Sequence, residues 1–476
     1  MRLLDHLKAL DAKGITCDSR RVEKGFVFAA LPGTVADGRD YIPQAIDNGA
    51  SAILSLPGTE VKGAALIVSD NPRLDYAKVA RYFYPKQPET LVAMTGTNGK
   101  SSTVEFLRQI WAYAGLNAAC FGTLGVMSNE GYKPMTHTTP DALALHKTLH
   151  ELAGRGVTHV AMEASSHGLV QYRLDAVNVA ASGFSNLTQD HFDYHDDMDD
   201  YFEAKARLFS ELTPEVAPVV INVDGEYGQA LAKRSKAKGQ FVTSIGWSGD
   251  DIRIAELMPH AASQDMTLVI GGKRHTVNLP LAGEFQSLNA VAALGLALKT
   301  GVSLEEGLGA LEALSGVAGR LERAGQTPEG APVFVDFAHT EDGLVKLLKS
   351  VRPHTMGDIV IVFGCGGDRD PDKRSKMGTA ATKFADQVIV TDDNPRTENA
   401  EAIRKAVMKG CPAAQNIGDR RTAIKTGIKA LGPQDCLVIA GKGHESGQIV
   451  GTEVTPFSDV DVAAELLAEL SEKSQE

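Results

Sequence analysis

The stretch most able to do chemistry is Thr95-Gly-Thr-Asn-Gly-Lys-Ser-Ser. Glycines let main-chain N–H groups approach an anion, and a helix opening right after them adds positive potential. Lys100 would reach the β- and γ-phosphates of a nucleotide, and the Ser101 hydroxyl would meet Mg²⁺. The strict G-x-x-x-x-G-K-[ST] spacing fails, because Met94 stands five residues before Gly99. A nucleotide loop is still expected, since a strand-like run, Thr90-Leu-Val-Ala-Met, leads into it. Val104, Leu107, Trp111 and Ala114 follow at helical spacing, with Gly115 placed as a C′ cap. Other chemistry-bearing clusters are Gln189-Asp-His-Phe-Asp-Tyr-His, Gly364-Cys-Gly-Gly-Asp-Arg-Asp, Asp393-Asn-Pro-Arg and Gly441-Lys-Gly-His-Glu.

These groups need elements to carry them. Residues 1–88 hold short β-like runs (Gly25-Phe-Val-Phe-Ala-Ala-Leu, Ala52-Ile-Leu-Ser) and end in a linker-like stretch, Tyr84-Pro-Lys-Gln-Pro-Glu. Residues 89–317 hold the phosphate loop and the buried-strand runs Val160-Ala-Met-Glu-Ala, Val177-Asn-Val-Ala-Ala-Ser-Gly-Phe and Ala217-Pro-Val-Val-Ile-Asn-Val. Residues 318–476 hold Val333-Phe-Val-Asp-Phe, Ile359-Val-Ile-Val-Phe-Gly, Gln387-Val-Ile-Val-Thr and Cys436-Leu-Val-Ile-Ala-Gly. Near-continuous Val/Ile runs separated by helices predict parallel strands buried on both faces. The expectation is an α/β chain of three domains: a central P-loop ATPase sheet, an N-terminal α/β domain and a C-terminal Rossmann-like α/β domain.

Composition sets the outer bounds. A chain of 476 residues exceeds one ordinary core, and 43% hydrophobic with 23% charged residues excludes wholesale disorder. The formal charge of −12 argues against a general nucleic-acid or anionic-membrane binder. No apolar run is long enough to span a bilayer, and no signal-peptide pattern opens the chain. Five scattered cysteines without a CxxC pair predict reduced thiols and a cytoplasmic location. Nothing demands an oligomer, so a monomer is expected.

The motif set resembles the Mur ligase family, the ATP-dependent amino-acid ligases of bacterial cell-wall synthesis. Cys17-Asp-Ser-Arg, the phosphate loop, Met162-Glu-Ala-Ser-Ser-His-Gly-Leu, Gln189-Asp-His-Phe-Asp-Tyr-His and Tyr201-Phe-Glu-Ala-Lys-Ala-Arg-Leu-Phe occur in the family's order. Gly319-Arg-Leu-Glu, Val335-Asp-Phe-Ala-His-Thr, Gly364-Cys-Gly-Gly-Asp-Arg-Asp, Asp393-Asn-Pro-Arg and Gly441-Lys-Gly-His-Glu continue it over nearly the whole length.

The resemblance implies that ATP phosphorylates a carboxylate and that an amine then attacks the acyl phosphate. It places ATP on Gly96, Thr97, Asn98, Gly99, Lys100, Ser101 and Ser102, with Asn289, Arg320, Asp336 and His339. Two Mg²⁺ ions would be held by Ser101, Glu163, His191 and Lys205, the last as a CO₂-derived carbamate. An unmodified ammonium would repel the metal. Lys100, Glu163, His191 and Lys205 are thus the implied catalytic set. The UDP-sugar-peptide would contact Ser19, Gly33, Thr34, Val35, Ala36, Thr138, Thr139, Ser165, Gln171 and Arg173. Two positions depart from the family pattern: Gln286 stands for an Asn in G-x-F-N-x-x-N, and His137 for an Asn before Thr138.

Within the family, the resemblance is to members that add meso-2,6-diaminopimelate to UDP-N-acetylmuramoyl-L-alanyl-D-glutamate. Diaminopimelate carries a distal carboxylate that lysine lacks, and an arginine would sit unpaired opposite lysine. Asp393, Asn394, Pro395 and Arg396 would form this pocket with Arg369, Gly441 and Glu445. The expected partners are therefore the UDP-muramoyl dipeptide, diaminopimelate and ATP, without nucleic acid or membrane insertion. Two other readings compete: a folylpolyglutamate synthase, which the N-terminal block and Asp393-Asn-Pro-Arg disfavour, and a nucleotide switch that hydrolyses ATP without ligation. Domain closure would assemble the three parts and exclude water from the acyl phosphate.

Overall fold

The computed structural model describes residues 3–33, 36–135, 137–190 and 194–473. It divides into two compact units, residues 1–252 with 292–307, and residues 253–291 with 308–476.

The first unit contains two sheets. Gly14–Thr16, Phe26–Ala29, Ala52–Ser55 and Ala65–Val68 pair in sequence order, all parallel. In the second sheet six parallel strands run in the order Phe241–Gly246, Pro218–Asn222, Ala181–Phe184, Thr90–Thr95, His159–Glu163 and Ala118–Gly122. The antiparallel strands Gly125–Ser128 and Gly131–Lys133 extend it. Thr90–Thr95 is buried from Leu91 onward because neighbours flank it on both edges and helices cover the sheet. The phosphate-loop helix, Lys100–Tyr113, ends as its spacing predicts. Gly115 takes φ +77°, Leu116 N–H donates to Trp111 O and Gly115 N–H to Ala112 O. That double closure is a Schellman cap, which a residue with a Cβ would strain.

The run from Val177 is shorter than its apolar pattern suggests, since only Ala181–Phe184 joins the sheet. Ahead of it, Tyr172 and Ala176 adopt positive φ in a loop held by Arg207, which donates to both oxygens of Asp175 at 2.8 and 3.0 Å. Turn geometry there overrides the local strand preference.

In the second unit the parallel strands Pro332–Asp336, Cys436–Ala440, Ile359–Phe363, Gln387–Val390 and Gln415–Asn416 lie side by side in that order. Glu322–Gln326 pairs antiparallel at one edge. The strands Gln264–Ile270 and Lys273–Leu279 form a hairpin closed by Gly271-Gly272, both with positive φ as a type I′ turn requires. Sequence reading had assigned no strands there. Every candidate residue of this unit on a β-strand or just after one lies at a carboxyl end, where open α/β sheets gather ligands.

A fully buried ion pair stands behind those ends. Arg420 donates to both Asp459 oxygens at 2.7 and 2.6 Å, and to the carbonyls of Asp392 and Ala440. Asp459→Ala would leave the guanidinium buried and uncompensated, a loss of about 3–5 kcal/mol. Urea unfolding of the variant should show it, and Arg420→Met combined with Asp459→Leu should recover much of it. Wild-type stability in Asp459→Ala would refute the structural weight given to the pair.

Candidate active site

In the first unit the carboxyl ends of three adjacent strands bring together the phosphate loop, Glu163 and the Gly122-Thr123 turn. Gly96 takes φ +145°, and a Cβ there would lie 2.0 Å from Ser185 Oγ. Gly99 takes φ +86° just before the helix. The loop is laced to the next strand's exit: Thr97 N–H donates to Asn186 O, Asn98 N–H to Asn186 Oδ1, and Ser185 Oγ to Asn98 O. Lys100 folds its ammonium onto the carbonyls of Gly96 and Thr97, both at 2.9 Å. Ser102 is buried within the first turn of the helix.

Ser101 Oγ donates to Glu163 Oε1 at 2.8 Å. Thr123 adds its N–H to Oε1 at 2.8 Å and its hydroxyl to Oε2 at 3.3 Å. A Cβ on Gly122 would sit 2.0 Å from Oε1, so that glycine is the space the carboxylate occupies. Lys205 is buried, with its Nζ 2.9 Å from Gly96 O and 4.4 Å from the centre of the Tyr201 ring. Burial first, and then the Lys100 charge, push its ammonium well below the ordinary lysine range, with Asp190 opposing.

Beside this cluster Thr138 meets Thr123 hydroxyl to hydroxyl at 3.0 Å. Thr139 Oγ1 donates to Glu163 O and accepts from Ser165 N–H and Oγ. Ser165 in turn caps the short helix Ser166–Val170. Arg173 donates to Thr139 O at 2.6 Å and to Gln171 Oε1 at 2.7 Å, which are neutral acceptors only. In the N-terminal sheet, Ser19 is buried and bonds Gln44 Oε1 at 2.7 Å. Gly33 has no room for a Cβ, which would meet Ala36 O at 2.1 Å. His191, Thr34 and Val35 lie outside the described residues. Among the described residues no group of three or more His, Cys, Asp or Glu side chains is placed to hold a metal.

The second unit collects the other predicted residues. Arg396, at φ +50°, donates Nη1 to Gly367 O at 2.8 Å and forms no ion pair among the described residues. Its main chain is bonded on both sides to the strand Gly447–Val450 and the turn after it: Arg396 N–H to Ile449 O, and Gly451 N–H to Arg396 O. Asp393 Oδ1 accepts from Asn394 N–H, and Asn394 Nδ2 reaches Glu445 Oε2 at 2.8 Å. Pro395 is buried, and its carbonyl would lie 1.9 Å from a Cβ on Gly367. Gly441, at φ +115°, would bring a Cβ to 2.6 Å from Asp393 Oδ2. Arg369 is exposed on the glycine loop.

Asp336 accepts N–H bonds from Leu321 and Ala338, which fixes the main chain around Arg320. The Arg320 guanidinium lies 5.2 Å from the centre of the Phe337 ring. Gln286, buried, donates to Arg320 O at 2.9 Å and accepts from Asn289 at 3.2 Å. The Gln286 amide at this departure from the pattern ties Asn289 to the Arg320 turn. His339 is exposed, its Nδ1 2.8 Å from Phe337 O.

The Mur ligase middle domain matches residues 94–297, the family's glutamate ligase domain 319–443 and its catalytic domain 11–96. The chain belongs to the Mur ligase family. It is 48% identical over 466 residues to the UDP-N-acetylmuramoyl-L-alanyl-D-glutamate--2,6-diaminopimelate ligase of Brucella melitensis, covering 97% of this chain and 96% of that one. The Rhizobium meliloti protein of the same name is 47% identical over 451 residues, covering 94% and 93%. A solved structure of a ligase so named aligns with TM-score 0.75 and 33% identity, covering 97% of this chain and 95% of that one.

Sequence reasoning about this Mur ligase missed Gly122, Thr123 and Lys442. The first two end and follow a strand with no recognisable motif, whereas Lys442 lies inside Gly441-Lys-Gly-His-Glu but carries no visible partner in sequence. Gly122→Ala should push the Glu163 carboxylate off Ser101. If Glu163 serves the reaction, phosphate release should fall about 10- to 100-fold. An unchanged rate would remove Glu163 from the reacting centre.

Proposed function

We propose that this ATP-dependent ligase joins meso-2,6-diaminopimelate to UDP-N-acetylmuramoyl-L-alanyl-D-glutamate in peptidoglycan precursor synthesis. The γ-phosphoryl group of ATP passes to the substrate carboxylate, releasing ADP. The amine of diaminopimelate then attacks the acyl phosphate, a C–N bond forms as the C–O bond to phosphate breaks, and inorganic phosphate leaves. The observation that carries the choice of amino acid is Arg396. Among the described residues its half-buried guanidinium donates only to main-chain carbonyls, which leaves charge to spare for a distal carboxylate. Glu445, joined to Asn394, suits the distal ammonium. Asp393, Gly441 and Arg369 complete that pocket.

Residues 1–88 take the uridine, 89–317 the nucleotide chemistry and 318–476 the amino acid in this reading. Gly96 to Ser102 cradle the phosphates. Arg320 suits phosphate oxygens bidentately, with Asn289, Asp336 and His339 on the same nucleotide. Ser19, the Gly33 turn, Thr138, Thr139, Ser165, Gln171 and Arg173 receive the UDP-sugar peptide. Arg173, bonded only to neutral acceptors, favours the substrate's anionic groups.

The oxygen donors Ser101 and Glu163 fit Mg²⁺, which keeps open positions for phosphate oxygens and water. His191 and Lys205 would hold a second ion. Bound there, the metals would neutralise charge on the transferring phosphoryl group. Burial, which disfavours the charged ammonium, suits Lys205 to carbamylation. A cytoplasmic monomer is the proposed setting, and no helix among the described residues is long and apolar enough to cross a membrane.

The direct test is phosphate release with ATP, Mg²⁺ and the UDP-muramoyl dipeptide, comparing diaminopimelate, L-lysine and neither. Release with diaminopimelate alone is expected; release with lysine would discard the reading of Arg396. Arg396→Ala should lose about 1.5–3 kcal/mol of diaminopimelate recognition, roughly 10- to 150-fold in kcat/KM, with the ATP KM unchanged. A collapse of ATP binding instead would overturn the division of labour. Lys205→Ala should be inactive and regain part of its rate from a small carboxylic acid. Full activity without that addition would exclude Lys205 from the metal site.

A further inference from the structure

Lys442 is fully buried, yet none of the roles above uses it. An ammonium has three N–H donors, and three acceptors surround this one. They are Gly447 O at 2.6 Å, Asn394 Oδ1 at 3.1 Å and Glu445 Oε2 at 3.3 Å. Each belongs to a different part of the amino-acid pocket: the strand start at Gly447, the loop that carries Arg396, and the loop that carries Glu445.

The bonds around Lys442 are directional. Asn394 Oδ1 accepts from Lys442 and from Ile449 N–H, so the amide can present only Nδ2 to Glu445. Glu445 Oε2 is then saturated by Asn394 and Lys442, while among the described residues no hydrogen bond engages Oε1. Ile449, which fixes the amide on one side, accepts from the Arg396 N–H on the other. One buried cation thus orients both groups that would meet the distal end of the amino acid.

The geometry points to Lys442 as a positioning residue for amino-acid selection, holding Glu445 with one carboxylate oxygen turned to the distal ammonium and keeping the Arg396 loop in register. It touches no substrate, because it has no exposed surface. The inference rests on the proposed pocket and adds to it the group that sets its geometry. Supporting groups of this kind decide whether a binding constellation is tight or loose.

The test uses the full-length enzyme and separates amino-acid binding from the other steps. Lys442→Met keeps the length and apolar stem but removes the charge. The expected result is a diaminopimelate KM raised at least 10-fold, with the KM values for ATP and for the UDP-muramoyl dipeptide within 2-fold of wild type. Lys442→Gln, which retains two donors, should fall between, and it replaces Met if that variant does not fold. Glu445→Gln should be combined with each. If Lys442 acts through Glu445, the double variant is no worse than the poorer single one.

Additive losses, or equal changes in all three KM values, would overturn the inference, as would an unchanged diaminopimelate KM. A wild-type enzyme that used lysine and rejected diaminopimelate would overturn the proposed substrate instead. Lys442 would then be judged by the same criteria on the lysine KM, because lysine carries the distal ammonium too. Turnover with neither amino acid would sink both.

Discussion

A carboxylate 2.8 Å from the hydroxyl that follows the phosphate-loop lysine is the contact on which the first unit depends. Glu163 can reach Ser101 only because His159–Glu163 pairs directly with the loop strand, Met94 opposite Glu163. The next strand over must end in a residue without a Cβ, since the Glu163 carboxylate occupies the space a Cβ on Gly122 would fill. Parallel pairing, register and one glycine thus converge on a single oxygen. Thr139 extends the same arrangement by bonding the Glu163 main chain and Ser165. Through it, the groups proposed for nucleotide and for sugar-peptide share one scaffold.

The second unit solves a different problem, because its proposed pocket is built from loops. Loop residues have little packing to hold them within the tolerance that recognition needs. Buried cations take that task. Arg420 gathers the carbonyls just before Asp393 and Gly441 and is neutralised by Asp459. Lys442 gathers the loops themselves. Buried charges of this kind add little net stability when paired, but they penalise every arrangement that leaves them unpaired. They narrow the pocket to one geometry.

Much of this was legible in the sequence for identifiable reasons. The strands Thr90–Thr95, Ile359–Phe363 and Cys436–Ala440 are strongly apolar runs, and the phosphate loop joins a strand to a helix in a recognisable order. Gly115 announced its cap. The hairpin Gln264–Leu279 was not read, although its Gly271-Gly272 turn was present, because its strands alternate only weakly. Val177 to Ala180 looked like strand and is loop, following a turn in which Arg207 grips Asp175, 32 positions apart in sequence. No local pattern encodes such a partner.

The sequence by itself determined the family, the order of the sheets and which residue types could do the chemistry, since these follow from periodicity and from motifs a few residues long. Only the tertiary structure decided what each of those residues touches. It put Gln286 between Arg320 and Asn289, emptied the space at Gly122, and surrounded Lys442 with three acceptors. The physical reason is that a buried polar group is defined by its partners. Those partners come from strands brought together by folding, often more than 30 residues away in the chain.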